Sequence, residues 1–348
     1  MIIVGRGRFL FPAAPHLLSS FLMHVLVLAL NPSVDAEWRV DQVRREEKNV
    51  IQAESRWAGG KGINVARWLQ FLTSQMSAGR APVSTPASAP RLLLPLGGAP
   101  GDELALGLRA EKLAFTSVPL RAPSRVNVIV TTARDGQLRF NQPGPELSHG
   151  EWRAVQRQAK KLLANTSCLV LSGSLPRGVP SGAYAQLIHS ARRAGVKSVL
   201  DCDGEALRAA VAARPFLVKP NEHELAEWAG RELKSESALI RAGRALSTAS
   251  RGWILISRGA EGALLINQSD GTVCSARPPR VKPLTTVGAG DALLAAAVRQ
   301  MDRGAPPIEW LRHGVAVGAA ATQCRAGRLP ARKLIQRFVG EVTVRASG

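Results

Sequence analysis

His24-Val-Leu-Val-Leu-Ala-Leu30 carries six apolar residues in a row, with no polar residue alternating among them. A strand with one wet face would alternate, so this run reads as a strand covered on both faces. Working outward, similar short runs recur at Arg91–Leu96, Val126–Thr131, Cys168–Ser172, Ser198–Asp201, Phe216–Lys219, Trp253–Ser257 and Gly262–Asn267. Between them the pattern is helical, at Ile63–Leu72, Asp102–Glu111, His149–Leu163, Ser181–Ala194, Ser235–Thr248, Gly290–Gln300 and Ile308–Ala326. Ser148-His-Gly-Glu151 has capping-box spacing and marks one helix start. This alternation predicts an α/β chain with a mostly parallel central sheet flanked by helices.

Three segments stand outside that rhythm. Residues 34–56 are polar and charged, with Val40, Val43, Val50 and Ile51 spaced as in a small exposed sheet. Residues 74–90 read as a low-complexity surface-loop insertion. At the start, Arg6 and Arg8 precede an apolar stretch from Phe9 to Met23 that Pro12, Pro15 and His16 interrupt. It lacks a clean small-residue cleavage site and is too short and broken to span a membrane. The expectation is one domain over residues 23–348, with residues 1–22 a disordered or mis-assigned extension; a targeting segment is the alternative.

The net charge of +20 over 348 residues first suggests a polyanionic partner. Of 46 basic residues 10 are Lys and 36 Arg, spread along the chain in runs no longer than two. No zinc-finger spacing or RNA motif accompanies them, so a compositional habit of Arg over Lys is preferred. No dedicated nucleic-acid or membrane partner is expected. Cys168, Cys202, Cys274 and Cys324 are far apart and share no metal-ligand spacing with His. They read as reduced core residues of a cytoplasmic protein.

The chemistry is written in two glycine-rich segments. Thr285-Thr-Val-Gly-Ala-Gly-Asp291 runs into a helix of small residues. Gly288 and Gly290 let backbone N–H groups converge, and the helix start adds unpaired N–H groups and a positive dipole end. Such a nest suits phosphate. A carboxylate beside phosphate needs a task, and for Asp291 that task is general-base work on an incoming hydroxyl. A plain glycine-rich turn with Asp as helix cap is the other reading of these residues alone. Ala58-Gly-Gly-Lys-Gly-Ile-Asn-Val-Ala66 is no Walker loop, because Gly62 follows Lys61 where Ser or Thr should stand. Its glycines allow close approach of a small polar ligand, with Lys61 and Asn64 as charge and amide. An ordinary helix start explains it equally well.

Together and in order, these segments resemble the ribokinase-like (PfkB) carbohydrate kinases, in the branch of 1-phosphofructokinase and tagatose-6-phosphate kinase. The resemblance runs over residues 24–345. It rests on Asn31-Pro-Ser-Val-Asp35, Gly59-Gly-Lys-Gly-Ile-Asn64, Ser124-Arg-Val-Asn127, Asn141-Gln-Pro-Gly-Pro145 and Ser172-Gly-Ser-Leu-Pro176. Lys219-Pro-Asn-Glu-His-Glu-Leu225, Ser257-Arg-Gly-Ala-Glu-Gly262 and Thr286-Val-Gly-Ala-Gly-Asp291 complete it. Ala292-Leu-Leu-Ala lacks the Phe common shortly after the Asp in the wider family.

The resemblance implies a ribokinase-like three-layer sandwich with a small β lid, and phosphoryl transfer from ATP with Mg²⁺. Asp35, Gly60, Lys61 and Asn64 would hold the sugar, and Asp291 would be the base. Gly288, Ala289 and Gly290 would form the anion hole. Asn221, Ser257, Gly259, Gly262 and Thr286 would lie along the nucleotide, and Asn221 and Glu224 would position Mg²⁺ through water. Arg125 points to a phosphorylated sugar, since a guanidinium fork matches phosphate; Lys48 is a weaker addition to that anchor. The implied acceptor is fructose 1-phosphate, then tagatose 6-phosphate or fructose 6-phosphate, with a homodimer contact through the lid. A kinase for unphosphorylated sugars or nucleosides, and a nucleic-acid-binding or regulatory protein with a retired kinase site, are the competing readings.

Overall fold

Successive residues of β1 (Val25–Leu28) point into two different apolar layers, which is why the strand can be apolar throughout. The computed structural model describes residues 25–74, 89–132, 136–325 and 327–347. Residues 1–22, His24 and nearly all of the 74–90 insertion lie outside them. Val25 and Val27 pack with the helices α1 (Lys61–Ser74), α8 (Ala289–Asp302), α9 (Pro307–Ala321) and α10 (Arg332–Glu341). Leu26 and Leu28 pack on the opposite face with α3 (His149–Leu163), α4 (Ala183–Arg193), α5 (Gly204–Val211) and α7 (Glu236–Ser250). Burying each such Leu contributes about 2 kcal/mol.

β1 sits inside a ten-stranded sheet. On one side of it lie β4 (Arg91–Leu96) and the edge strand β5 (Ala114–Pro119). On the other lie β8 (Cys168–Ser172), β9 (Lys197–Asp201), β10 (Leu217–Val218) and β11 (Trp253–Ser257), in that order. All these neighbours pair in parallel. Beyond β11 the sheet continues antiparallel through β12 (Ala263–Ile266), β13 (Val273–Arg277) and β14 (Thr343–Ser347). The predicted helix starts hold well at α3, where Ser148 and Glu151 form the expected reciprocal cap.

A second sheet of four strands stands apart, in the order β3 (Ala53–Gly59), β2 (Ser33–Val40), β6 (Arg125–Thr132), β7 (Gln137–Phe140). Two sequence expectations change here. Val126–Thr131 belongs to this small sheet, paired in parallel with β2, and not to the central one. Val43, Val50 and Ile51 are not strand residues: they are exposed in the connection between β2 and β3. One face of the small sheet is covered by α2 (Gly98–Ala110), which packs on β2 and β3. A three-residue connection, residues 219–221, joins β10 to α6 (Glu222–Ala229), so α6 begins at the same edge where the parallel strands end.

Candidate active site

The carboxyl ends of five adjacent parallel strands bring the marked residues to one edge of the central sheet. Asn31 follows β1, Ser172 ends β8, Asp201 ends β9, Lys219 follows β10 and Ser257 ends β11. Open α/β sheets bind ligands at this edge, because the strands stop and helix N-termini begin there. The small sheet lends Asp35, Arg125 and Asn127 from β2 and β6, which pair Asp35 directly with Asn127. α1 and α8 each start at the site, carrying Lys61 and Asn64, and Asp291.

Asp291 lies in the first turn of α8 and is buried. Gly288, at φ 77° in the left-handed region, ends the approach to the helix; a side chain is strained in that conformation. The first-turn amides that follow have no partner within the helix. Asn64 donates from Nδ2 to Asp291 Oδ2 at 2.8 Å. Burial and then the charge of Asp201 push the Asp291 pKa up to about 6, against the pull of Asn64, Lys61 and Lys219. A carboxylate with that pKa is ionised at neutral pH and close enough to it to accept a proton usefully.

Asp201, which the sequence reading left inside a strand, is the centre of the charge network. It is fully buried and takes Lys219 at 3.1 Å, Lys61 at 3.4 Å and the Ser172 hydroxyl at 3.1 Å. Burial opposes its ionisation, but the two ammonium groups prevail and hold its pKa below the usual carboxylate range. Lys61 also reaches Glu224 at 3.3 Å. Burial works against the Lys61 charge as well, yet Asp201 and Glu224 raise its pKa above the ordinary lysine value. Lys61 therefore lies toward Asp201 and Glu224.

Asn221 caps α6, and Glu224 completes a capping box: each side chain bonds the other's backbone N–H at 2.8 Å. The Asn-x-x-Glu spacing thus has a structural role as a helix cap, and one Glu224 oxygen remains to meet Lys61. Ser257 pairs with this turn through an isolated bridge to Asn221. Gly259 and Gly262 flank a short turn whose Arg258 is bonded to Glu222 and Glu236, tying α6 and α7 to the turn. Thr286 is exposed just before the α8 turn.

On the small sheet, Asp35 Oδ1 accepts from the Ser33 hydroxyl at 2.7 Å and from Asn127 at 3.0 Å. Burial raises its pKa, opposed by these bonds and by the charges of Arg125 and Arg67. A Cβ at Gly59 would lie 2.1 Å from the Asp35 carboxylate, so any side chain there must push that carboxylate aside. Gly60 follows and caps the first turn of α1 through Asn64. Arg125 donates to the main-chain oxygens of Asn31 at 2.9 Å and Gln142 at 3.1 Å. Asn31 in turn donates to Pro143 O and Ser174 Oγ, so the motifs at 31, 125, 141–145 and 172–176 meet at one place. Lys48 is exposed, on the β2–β3 connection.

Residues 29–334 match the family described as pfkB family carbohydrate kinase. The ATP-dependent 6-phosphofructokinase isozyme 2 of Escherichia coli (strain K12) is 33% identical over 311 residues, 88% of this chain and 95% of that protein. The 1-phosphofructokinase of Bacillus subtilis (strain 168) is 30% identical over 320 residues, 92% and 99% of the two chains. Among solved structures, phosphofructokinase-2 from Escherichia coli in complex with potassium superposes with a TM-score of 0.81 at 32% identity, over 92% of this chain and 98% of that one. Both the sheet edge that gathers Asp291, Asn64 and Asp35 and the extent of these matches lead to one assignment: the chain belongs to the pfkB family of carbohydrate kinases, with the ribokinase-like fold.

Proposed function

We propose that the chain transfers the terminal phosphoryl group of ATP to a phosphorylated ketose, with fructose 1-phosphate the leading acceptor and fructose 1,6-bisphosphate the product. Tagatose 6-phosphate and fructose 6-phosphate come next. The observation that carries the reading is Arg125. Its two hydrogen-bond acceptors are neutral carbonyl oxygens, its Nε is buried with no hydrogen-bond partner, and no carboxylate is paired with it among the described residues. A buried donor without a partner costs about 1–3 kcal/mol, a cost that an anionic ligand at the guanidinium repays. The relatives named 1-phosphofructokinase and 6-phosphofructokinase support the same class.

In this reading Asp35 and Asn64 hold the sugar, with Gly60 at close approach. Asp291 accepts the proton of the attacking hydroxyl as its oxygen bonds to the γ-phosphorus and the bond to the β-phosphate oxygen breaks, releasing ADP. The amides of Gly288, Ala289 and Gly290 face the transferring group, where such donors act most strongly. Asn221, Ser257, Gly259, Gly262 and Thr286 line the nucleotide side.

The residues present also fit Mg²⁺. Asp201 Oδ1 and Glu224 Oε1 converge on one cation position, held by the Lys61 ammonium at 3.4 and 3.3 Å, and they are the hard oxygen donors that Mg²⁺ prefers. Glu224 with Asn221 would hold the ion through water, and it would screen charge on the phosphate oxygens. The exposed Val43, Val50 and Ile51 beside β2 and β3 make the small sheet the proposed homodimer contact.

Two experiments test this reading. An ATP-consumption assay across fructose 1-phosphate, fructose 6-phosphate, tagatose 6-phosphate, fructose and a nucleoside is expected to give turnover with one phosphorylated ketose. Turnover only with unphosphorylated acceptors discards the sugar-phosphate reading, and silence on every acceptor favours a binding protein with a retired site. Separately, Gly59→Ala forces a Cβ into the Asp35 carboxylate, so the acceptor KM should rise at least about tenfold while the ATP KM holds. An unchanged acceptor KM would remove Asp35 from the sugar site.

A further inference from the structure

Arg67 lies one turn along α1 from Asn64 and is almost wholly buried, 8% exposed. Its guanidinium is clamped on three sides. Nε and Nη2 form a fork to Glu111 at 2.5 and 2.8 Å, Nη2 also reaches Ala58 O at 2.7 Å, and Nη1 donates to Asn64 Oδ1 at 2.9 Å. Glu111 stands just past the end of α2, so the clamp links α1, α2 and the end of β3.

A guanidinium has only donors, so the Asn64 carbonyl must face it. The amide nitrogen is thereby turned to the other side, where one N–H meets Asp291 Oδ2 at 2.8 Å beside Gly288. An ionised Asp291 can only accept, so both neighbours impose the same amide orientation. The second N–H has no hydrogen-bond partner among the described residues and is left for a ligand oxygen.

We propose that Arg67 is a positioning residue for the phosphoryl transfer: held by Glu111, it locks the Asn64 amide so that one N–H serves the base and the other serves the sugar. The proposal rests on the kinase reading above. Arg67 touches no reacting atom and acts through Asn64. A second route exists, because the Arg67 charge also reaches Asp35, and the test must separate the two.

The experiment measures steady-state kinetics and melting temperature for Arg67→Lys, Glu111→Gln, Asn64→Ala and the double variant Arg67→Lys/Asn64→Ala, using the best acceptor of the panel. A Lys keeps the charge but cannot reach Glu111 and Asn64 in a fixed plane. The expected result for Arg67→Lys is a 10- to 100-fold loss of kcat/KM for the sugar, with the ATP KM unchanged. Glu111→Gln, at a partly exposed site, should give a smaller loss of the same kind, with the melting temperature separating it from a folding defect. In the Asn64→Ala background, Arg67→Lys should cost nothing further, since contacts that work as a unit are not additive. A full loss in that background, or wild-type kinetics in Arg67→Lys, overturns the proposal.

A second readout needs no turnover. The side-chain NH₂ pair of Asn64, identified by its disappearance in Asn64→Ala, should exchange with solvent faster in Arg67→Lys than in the parent. An unchanged exchange rate also overturns the proposal. If the parent phosphorylates no acceptor, the kinase reading fails by itself and the exchange measurement still decides whether Arg67 holds the amide.

Discussion

Asp291→Asn should bind ATP as the parent does and turn over about 10²–10⁴-fold more slowly, the range a general base supplies. The substitution keeps the shape of the side chain and the acceptor for Asn64 at one end of it, but an amide cannot take the hydroxyl proton. The pH dependence follows from the groups around the carboxylate. Asp201 behind it raises its proton affinity, while Lys61, Lys219 and Asn64 lower it, and the balance is a pKa of about 6. The base must be ionised, so kcat/KM of the parent should climb with pH, about tenfold per unit well below 6, and level off above it.

The residual activity of Asp291→Asn should lack that limb. Stability should move the other way. An acid whose pKa rises on folding favours the fold below its unfolded pKa, and that favour is lost as pH rises through the folded value. At neutral pH the ionised Asp291 is therefore a cost, and the Asn variant should melt no lower than the parent. Near-normal turnover would remove Asp291 from the chemistry. A large drop in melting temperature would mean that the carboxylate is structural.

The central sheet was legible because its inner strands are buried on both faces. Arg91–Leu96, Cys168–Ser172 and Trp253–Ser257 occupy the spans expected from their apolar runs. What escaped was the periphery. β5 and β14 are edge strands, and β7 is exposed along its length, so burial writes no apolar run into them. α5 and α6 are eight residues each, too short for a helical period to stand out. The cap of α6 was nonetheless readable, since Asn221 and Glu224 have the same spacing as Ser148 and Glu151.

For the site, the glycine-rich segments identified α1 and α8 because close backbone approach leaves a mark in the sequence. Asp201 and Arg67 carry no such glycine mark, and Lys219 entered only as the first residue of a motif, without a role. Each is an ordinary residue in or just after a strand or helix until the fold brings it to its partner, and the Asp201–Lys61 pair spans 140 positions. A charged residue closing an apolar run, as at Ser198–Asp201, is the signal that could have found it, because a strand buried on both faces has no other reason to end in a carboxylate.

Arg125→Ala should act on the acceptor and not on ATP. The guanidinium is braced by two main-chain carbonyls, from Asn31 after β1 and Gln142 after β7. Its burial lowers its pKa, with Asp35 pulling the other way, and an arginine stays charged regardless. A braced cation next to Asp35, the proposed sugar ligand, suits the phosphate of the acceptor, and removing one partner of a buried charge pair costs about 2–5 kcal/mol. For a phosphorylated ketose kcat/KM should therefore fall by roughly 10²–10³-fold, mostly through KM.

The control is an unphosphorylated sugar, slow on the parent, whose kcat/KM should fall less than about fivefold because it has no charge for Arg125 to meet. Arg125→Lys should rescue little, because an ammonium cannot hold both carbonyls and the phosphate in one plane. Equal losses on both acceptors would instead make Arg125 a brace for Asn31 and Gln142. The phosphate would then be read elsewhere, and the exposed Lys48 on the β2–β3 connection would be the next cation to replace.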